Sequence, residues 1–390
     1  MTAHPKDLYS YDVVIVGAGF FGLTLAYQLS MLTDQRVVVL DRRDHIGGNA
    51  YSFTDLETNI EIHKYGSHLF HTNNDSVWEF VNQFASFNTY IHKVKTLYHN
   101  QVFSMPINLH SISQFLGKYL NPSEARDWIQ SEQSRVTGSD PQNLEDKAIE
   151  LIGKSLYSAF IHGYTQKQWQ TDPKLLPSEI ITRLPVNYNF NDNYFNDKHQ
   201  GLPESGYGSL FNEMQLKGNF EVRVNFDFRP NDYDISQFKL LIYSGAIDQF
   251  FDFKHGALGW RTLDFEFQHL DLGDFQGTSV MNYSDLEIPF TRIHEFKHLH
   301  PERQQSPTKT IIAREYSRFA TQDDEPYYPI NSEKDRNRLL NYRDEALKLS
   351  NVIFGGRLGR YQYLDMHMAI ASALQIADQL INGLNTKSNE

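Results

Sequence analysis

An α/β fold is predicted, with a parallel sheet, a helical insertion and a second, mainly antiparallel sheet. Three observations point to it. An apolar run, Val13 to Val16, passes through Gly17-x-Gly19-x-x-Gly22 into Leu23, Ala26, Tyr27 and Leu29 at helical spacing. A second apolar run, Val37 to Leu40, ends in Asp41. Several strand-like segments then crowd between Thr262 and Tyr316, beyond a stretch of helical periodicity from Ser111 to Phe160. Short continuous apolar runs suit parallel strands buried on both faces, whereas separate strand-like pieces in series suit an antiparallel sheet.

The first stretch has a specific physical logic. Gly17 permits a tight turn, Gly19 lets backbone approach a pyrophosphate, and Gly22 lets helix pack closely on strand. The helix N-terminus then offers N–H groups and a positive dipole end to the phosphates. Asp41 stands where an acidic side chain takes ribose hydroxyls. Strand, glycines, helix, second strand and carboxylate together predict a Rossmann-like dinucleotide site. The glycine pair Gly47-Gly48 follows in Arg42-Arg-Asp-His-Ile-Gly-Gly-Asn-Ala50. Such a pair is found in flavoproteins of the glutathione-reductase and amine-oxidase type, so FAD is expected in place of NAD.

The chain has 390 residues and 40% hydrophobic content, enough for two or three domains with a real core. A net charge of −12 argues against nucleic acid or an anionic membrane as the main partner. The absence of cysteine excludes disulfides, thiolate metal sites and a cysteine nucleophile. Met1 to Ser10 is polar, without a leader-type apolar run, and no stretch is long and apolar enough to span a membrane. A soluble cytoplasmic protein is expected.

Taken in order, Asn74 and Asp75 can cap a helix carrying Val77, Phe80, Val81 and Phe84. Thr89 to Phe103 has strand character. Leu144, Ala148, Leu151, Ile152, Leu156 and Phe160 line one helical face. Pro173, Pro177 and Pro185 break up the segment from Trp169 to Asn187, which also carries Arg183 and suits a ligand clasp or a stiffened connector. Phe220 to Phe228 alternates like a strand, and Leu240 to Tyr243 reads as a buried one. His68 and His71 have metal-ligand spacing only on a helix, and their surroundings read as a loop, so no metal is expected. His294, His298 and His300 are expected on a solvated edge. Near the C-terminus, Val352 to Phe354 meets Gly355-Gly-Arg-Leu-Gly-Arg-Tyr-Gln-Tyr-Leu-Asp-Met366, ahead of a helix with Ile370, Ala373, Leu374, Ala377 and Ile381 on one side. That turn can stabilise the negative charge of a reduced flavin.

These motifs together resemble the bacterial UDP-galactopyranose mutase family, from Val13 to about Ile381. The segments that carry the resemblance are Val16-Gly-Ala-Gly-Phe20, Arg43-Asp-His-Ile-Gly-Gly-Asn49, Tyr65-Gly-Ser-His-Leu-Phe-His-Thr72, Phe103-Ser-Met-Pro-Ile-Asn108 and Gly163-Tyr-Thr-Gln-Lys-Gln-Trp169. They continue with Arg183-Leu-Pro-Val186, Asp192-Asn-Tyr-Phe-Asn196, Tyr327-Tyr-Pro329, Gly356-Arg-Leu-Gly359 and Tyr363-Leu-Asp-Met366. The resemblance implies an isomerase that interconverts UDP-galactopyranose and UDP-galactofuranose on reduced FAD, without net redox change. It implies an FAD domain of residues 1–82, 205–250 and 345–390 and a helical domain of 108–180 with a mobile loop 169–187. The antiparallel sheet domain would comprise 83–107, 188–204 and 251–344.

Site roles follow residue by residue from the same resemblance. Arg183 and Arg292 would clamp the diphosphate, with Tyr194, Tyr328 and Tyr363 donating hydroxyls to it. Phe160 and Tyr164 would flank uracil, with Thr165 and Trp169 nearby. His92 and Asn282 would face the sugar or flavin edge, and Asp365 would serve both ligands. His92 stands where some members have an amide. Gly17, Gly19, Phe21, Gly22, Asp41, Arg42, Gly48, Asn49, His68, Leu69, Phe228, Arg357 and Met366 would hold FAD, with His68 against the flavin. A homodimer and an external reductant, NAD(P)H or a reductase, are also implied. Rival expectations are a mutase for a related sugar nucleotide, such as UDP-N-acetylgalactosamine or UDP-arabinopyranose, an amine-oxidase-type oxidoreductase, and a non-catalytic sugar-nucleotide binder.

Overall fold

The computed structural model describes residues 5–134, 141–181 and 184–387. Val13–Val16 is the middle strand of a five-stranded parallel sheet. The strand order is Glu221–Arg223, Val37–Leu40, Val13–Val16, Leu241–Tyr243 and Val352–Phe354. In register, Val14 lies opposite Val38 on one side and Leu241 on the other. Both faces are covered, as the unbroken apolar runs require. Val13, Ile15, Val37 and Val39 join the core beneath the helices Phe20–Leu32 and Met366–Lys387. Val14, Val38, Leu40 and Leu241 pack on Leu8, Phe228, Phe238 and Phe250. Each fully buried Val or Leu contributes about 1.5–3 kcal/mol, so the strands are held by packing more than by their short ladders.

The glycines act as the sequence requires. Gly17 sits at φ +105°, and a Cβ on Gly22 would fall 2.0 Å from the Gly17 carbonyl oxygen. Helix and strand can approach this closely only without that carbon. Asn74 caps the helix Asp75–Val81 as expected, accepting the Val77 N–H.

The second sheet has seven strands in the order Tyr328–Pro329, Trp260–Leu270, Thr310–Phe319, Arg292–Glu295, Val280–Tyr283, Val94–Tyr98 and Gln101–Met105. Its pairings are antiparallel except that of Val94–Tyr98 with Val280–Tyr283. The strands expected at Leu263 and Thr310 are longer than their apolar cores, because Arg261 to Leu270 pairs continuously with Phe319 to Thr310. Between Gln101–Met105 and the sheet's later strands lies the helical insertion: Leu109–Leu116, Pro122–Ser134, Leu144–Ile152 and Gly163–Trp169. Asn108 starts the first of these with a capping box shared with Ser111.

Four expectations need correction. Leu144 to Phe160 forms a common apolar face but not one helix. Gly153, at φ +80°, ends Leu144–Ile152, and a π-helical turn, Tyr157–His162, follows. Only Glu221–Arg223 of the segment from Phe220 to Phe228 is strand, because Asn225 adopts φ +55° and the chain turns back to bond Arg43 and Asp41. The 188–204 segment gives its strand, His199–Gly201, to a ladder with Phe70–Thr72 and not to the seven-stranded sheet. His294 and His300 are buried, not on a solvated edge, because Arg292–Glu295 lies inside the sheet and His294 faces its covered side. His298 alone remains partly exposed.

Candidate active site

Two cavities meet between the sheets. The larger, about 760 Å³, is lined by Gly17, Gly19, Gly22, Asp41 and Gly48 at the mouth of the parallel sheet. A Cβ on Gly48 would lie 3.1 Å from the Gly19 Cα, so two glycine backbones face each other across this wall. The helix Phe20–Leu32 begins at Gly19 with no side-chain cap. Unclaimed first-turn N–H groups beside a glycine cradle fit a pyrophosphate. Asp41 accepts the Ala18 N–H at 2.7 Å and the Arg43 N–H at 2.9 Å, which fixes the carboxylate at the end of its strand. The residues present therefore fit a dinucleotide.

Phe21, Arg42, Asn49, His68, Phe228, Arg357 and Met366 line the same cavity. Leu69 and Asp365 instead line the smaller one. Asn49 accepts from Arg43 Nη2 at 2.6 Å, and Glu325 bridges Arg42 at 2.7 Å and Arg43 at 2.8 Å. Burial alone would lower the Arg43 pKa, but Glu325 outweighs it and the net shift is upward. Neither Arg43 nor Glu325 was singled out by sequence, since their ion pair spans the two sheets.

The smaller cavity, about 270 Å³, gathers Tyr164, Tyr194, Asn282, Arg292, Tyr328, Tyr363 and His92 from seven separate segments. Arg292 Nη2 donates to the Tyr164 hydroxyl. Burial opposes the charge on Arg292, yet Glu315 outweighs burial and the guanidinium stays ionised. Burial would likewise protonate Glu315, but Arg292 and then His294 hold its pKa down. His294 is kept neutral by burial against the pull of Glu315. Its Nε2–H therefore donates to Glu315 Oε2 at 2.9 Å, and Nδ1 accepts from Ser67 Oγ at 2.8 Å. Asn282 Oδ1 is buried without a hydrogen-bond partner. Such an orphan acceptor costs about 1–3 kcal/mol until a donor reaches it. Tyr363 donates to Asp365 Oδ1 at 2.8 Å, and Arg357 fixes the turn before Met366 by bonding the carbonyls of Leu364 and Tyr327.

His68 lines both cavities. Burial pushes it down to about 4. The neutral ring donates from Nδ1 to the Gly66 carbonyl at 2.8 Å, leaving Nε2 as an acceptor. His92 is pushed down to about 3, by burial first and then by Arg292.

Three expected contacts are not brought to these walls. Phe160 is 4% exposed and packs among Tyr98, Phe103 and Phe115, because its π-helical turn points it into the helical core. Thr165 is buried and Trp169 half-buried on the following helix, and neither lines a cavity. Arg183 lies outside the described residues. Conversely, Glu315 and His294 belong to the wall and were not anticipated there. A carboxylate inside an apolar strand, Thr-Ile-Ile-Ala-Arg-Glu315, was the available signal.

Comparison with known proteins agrees with this geometry. Residues 159–363 match the family profile described as UDP-galactopyranose mutase, and residues 15–84 that of an NAD(P)-binding Rossmann-like domain. A Klebsiella pneumoniae protein named "Probable UDP-galactopyranose mutase" is 43% identical over 96% of this chain and 95% of its own. A dTDP-fucopyranose mutase of Escherichia coli is 39% identical over 95% of this chain and 98% of its own. The crystal structure of a reduced UDP-galactopyranose mutase shares the fold, with a TM-score of 0.76 at 15% identity, over 95% of this chain and 94% of that one. No described helix is long and apolar enough to cross a membrane. With a family profile over half its length and relatives aligned from end to end, the chain belongs to the UDP-galactopyranose mutase family.

Proposed function

We propose that this chain interconverts UDP-galactopyranose and UDP-galactofuranose, with FAD in the larger cavity and the sugar nucleotide in the smaller. The observation that carries this is the common wall: His68, Arg357 and Met366 line both cavities, so their contents adjoin there. Reduced FAD, when bound, supplies a nucleophilic nitrogen for the anomeric carbon with no net redox change.

The chain's own residues supply position and charge. Arg292 offsets charge on the departing diphosphate. Burial raises the Tyr164 and Tyr328 hydroxyls, Tyr164 to about 12, so they are donors at neutral pH; Tyr363, half exposed, already donates to Asp365. Asn282 Oδ1 accepts a sugar hydroxyl, and His68 and His92 remain uncharged beside the reacting groups. Tyr164 is the ring offered to uracil. Two arginines, Arg292 and Arg357, and two carboxylates, Glu315 and Asp365, line the described wall. A diphosphate needs more positive charge than that balance leaves. We assign the further cation to Arg183, carried in by closure of residues 169–187. A cytoplasmic homodimer primed by an external reductant, NAD(P)H or a reductase, belongs to the same proposal.

Product chromatography with dithionite-reduced protein tests it. Pyranose–furanose exchange of UDP-galactose is expected, without oxygen consumption per turnover. Flavin-loaded protein that exchanges nothing would refute a mutase. The dTDP-fucopyranose mutase at 39% identity favours one second reading, so dTDP-fucose is assayed beside UDP-galactose. Exchange of the fucose nucleotide alone would move the assignment there.

A further inference from the structure

Lys167, on the helix Gly163–Trp169, ends in a cage of backbone carbonyls. Its Nζ donates to the oxygens of Tyr283 at 2.7 Å, Asp285 at 2.9 Å, Ile288 at 3.0 Å and Phe290 at 3.1 Å. Among the described residues no carboxylate lies within ion-pair distance of it. Its direct hydrogen bonds are all to carbonyl dipoles, as a bound alkali cation's contacts would be, with Asp285 and Glu287 acting only at longer range. The caging loop joins Val280–Tyr283 to Arg292–Glu295, the strands that carry Asn282 and Arg292. Four inward-pointing carbonyls repel one another unless a cation sits among them, so the ammonium sets the shape of that loop.

The same helix bears Tyr164, one turn earlier and on the same face. Tyr164 meets the Arg292 side chain while Lys167 grips the backbone leading to it. Two further contacts press the helix onto the sheet. A Cβ on Gly163 would lie 2.1 Å from the Ser284 carbonyl oxygen, and Ser317 Oγ donates to the Gln168 carbonyl at 2.7 Å. Two walls of the smaller cavity are thereby tied together at a point outside the cavity.

We propose that Lys167 is a positioning residue for the mutase reaction, moulding the loop from Tyr283 to Phe290 around its ammonium and so setting Asn282 and Arg292 against Tyr164. This rests on the function proposed above. Burial lowers the Lys167 pKa to about 8, against the opposing pull of Asp285 and Glu287, the charged groups that face it. A neutral amine has two N–H groups for four carbonyls, so the loop loses its template on the alkaline side.

The test compares wild type, Lys167→Met and Lys167→Ala, scored by flavin absorbance, UDP affinity, kcat and KM on UDP-galactose. Both variants are expected to retain flavin and lose about 100-fold in kcat/KM, the cost of misplacing a clamp by an ångström. Ammonium chloride is expected to restore part of the Lys167→Ala activity by entering the cage. Tetramethylammonium chloride, too large to enter, is expected to restore none. A flavin-loaded Lys167→Met within about threefold of wild type overturns the proposal. If neither variant holds flavin, the wild type decides. UDP affinity is expected to fall between about pH 7 and about pH 9, across the lysine's titration, and a level affinity overturns the proposal. Wild type that fails to exchange UDP-galactose counts against the mutase reading, not against the cage.

Discussion

Glu315 holds Arg292 in the cavity wall: Oε1 lies 3.3 Å from Arg292 Nε, and Oε2 is 2.9 Å from His294 Nε2. One buried carboxylate thus fixes a cation and the tautomer of a neutral histidine. Glu315→Gln keeps the shape and removes the charge, leaving the half-buried Arg292 guanidinium without its carboxylate. Breaking a fully buried pair costs about 3–5 kcal/mol, and the partial exposure of Arg292 brings the expected cost down to about 1–3 kcal/mol. Urea unfolding is expected to show a loss of that order, and kcat/KM to fall about 100-fold as the clamp drifts. Wild-type values for both would remove the pair from the explanation.

Gly19 and Gly22 separate cofactor binding from folding. A Cβ on Gly19 meets only the Gly48 Cα at 3.8 Å, and its φ of −83° suits any residue. Gly19→Ala is therefore expected to fold normally but to intrude on the pyrophosphate site, weakening flavin binding at least about tenfold. A Cβ on Gly22 would strike the Gly17 carbonyl at 2.0 Å. Gly22→Ala is expected to lower the melting temperature of flavin-free protein as well. Fluorescence titration with FAD and thermal melts of both stripped variants check this, and equal melting points would contradict the packing argument.

What could be read from the sequence was what is local. Val13 to Asp41 is one strand–turn–helix–strand unit, and Gly17 and Gly22 have local reasons to be glycine, a left-handed φ and the close approach of helix to turn. Glu315 could not be placed, because its meaning depends on register: it lies opposite Arg292 across an antiparallel pair. Phe160 is a neighbour of uracil only by the family resemblance; an aromatic at helical spacing reads alike whether it stacks on a base or fills a core, and here it packs in the core. Lys297 and nearby polar residues make His294 read as a solvated position, whereas its strand lies inside the sheet and its ring is buried. Lys167 carried no signal at all, since its partners are backbone carbonyls 116 to 123 residues away.

Asn282 is expected to act on the sugar and not on the nucleotide. Its Oδ1 is buried and unpartnered on the same wall as Arg292. Asn282→Ala removes an acceptor that only a ligand donor satisfies, worth about 1 kcal/mol or roughly fivefold to tenfold in KM for UDP-galactose. UDP affinity, measured by calorimetry, should stay near wild type. Equal losses for both ligands would show that the side chain only shapes the cavity.

The buried histidines make stability fall on the acid side in a window of its own. Burial holds His68 down to about 4 and His92, with help from Arg292, down to about 3, from an ordinary 6.5. Below pH 6.5 the unfolded chain takes up these protons and the folded chain does not. Unfolding is therefore favoured by about 1.4 kcal/mol per pH unit for each histidine, until the folded value is reached. The buried carboxylates Glu315 and Glu325 have folded values held below their ordinary 4.5. Their stabilisation is complete above that pH and is lost only below it, so between pH 6.5 and 4.5 these two carboxylates add nothing to the slope that His68 and His92 impose. Urea unfolding across that interval should show stability rising with pH, and His92→Gln should remove about one proton's worth of slope whatever it does to absolute stability. An unchanged slope in that variant would mean that His92 is protonated in the folded protein, and its neutral role beside the sugar would fall with it.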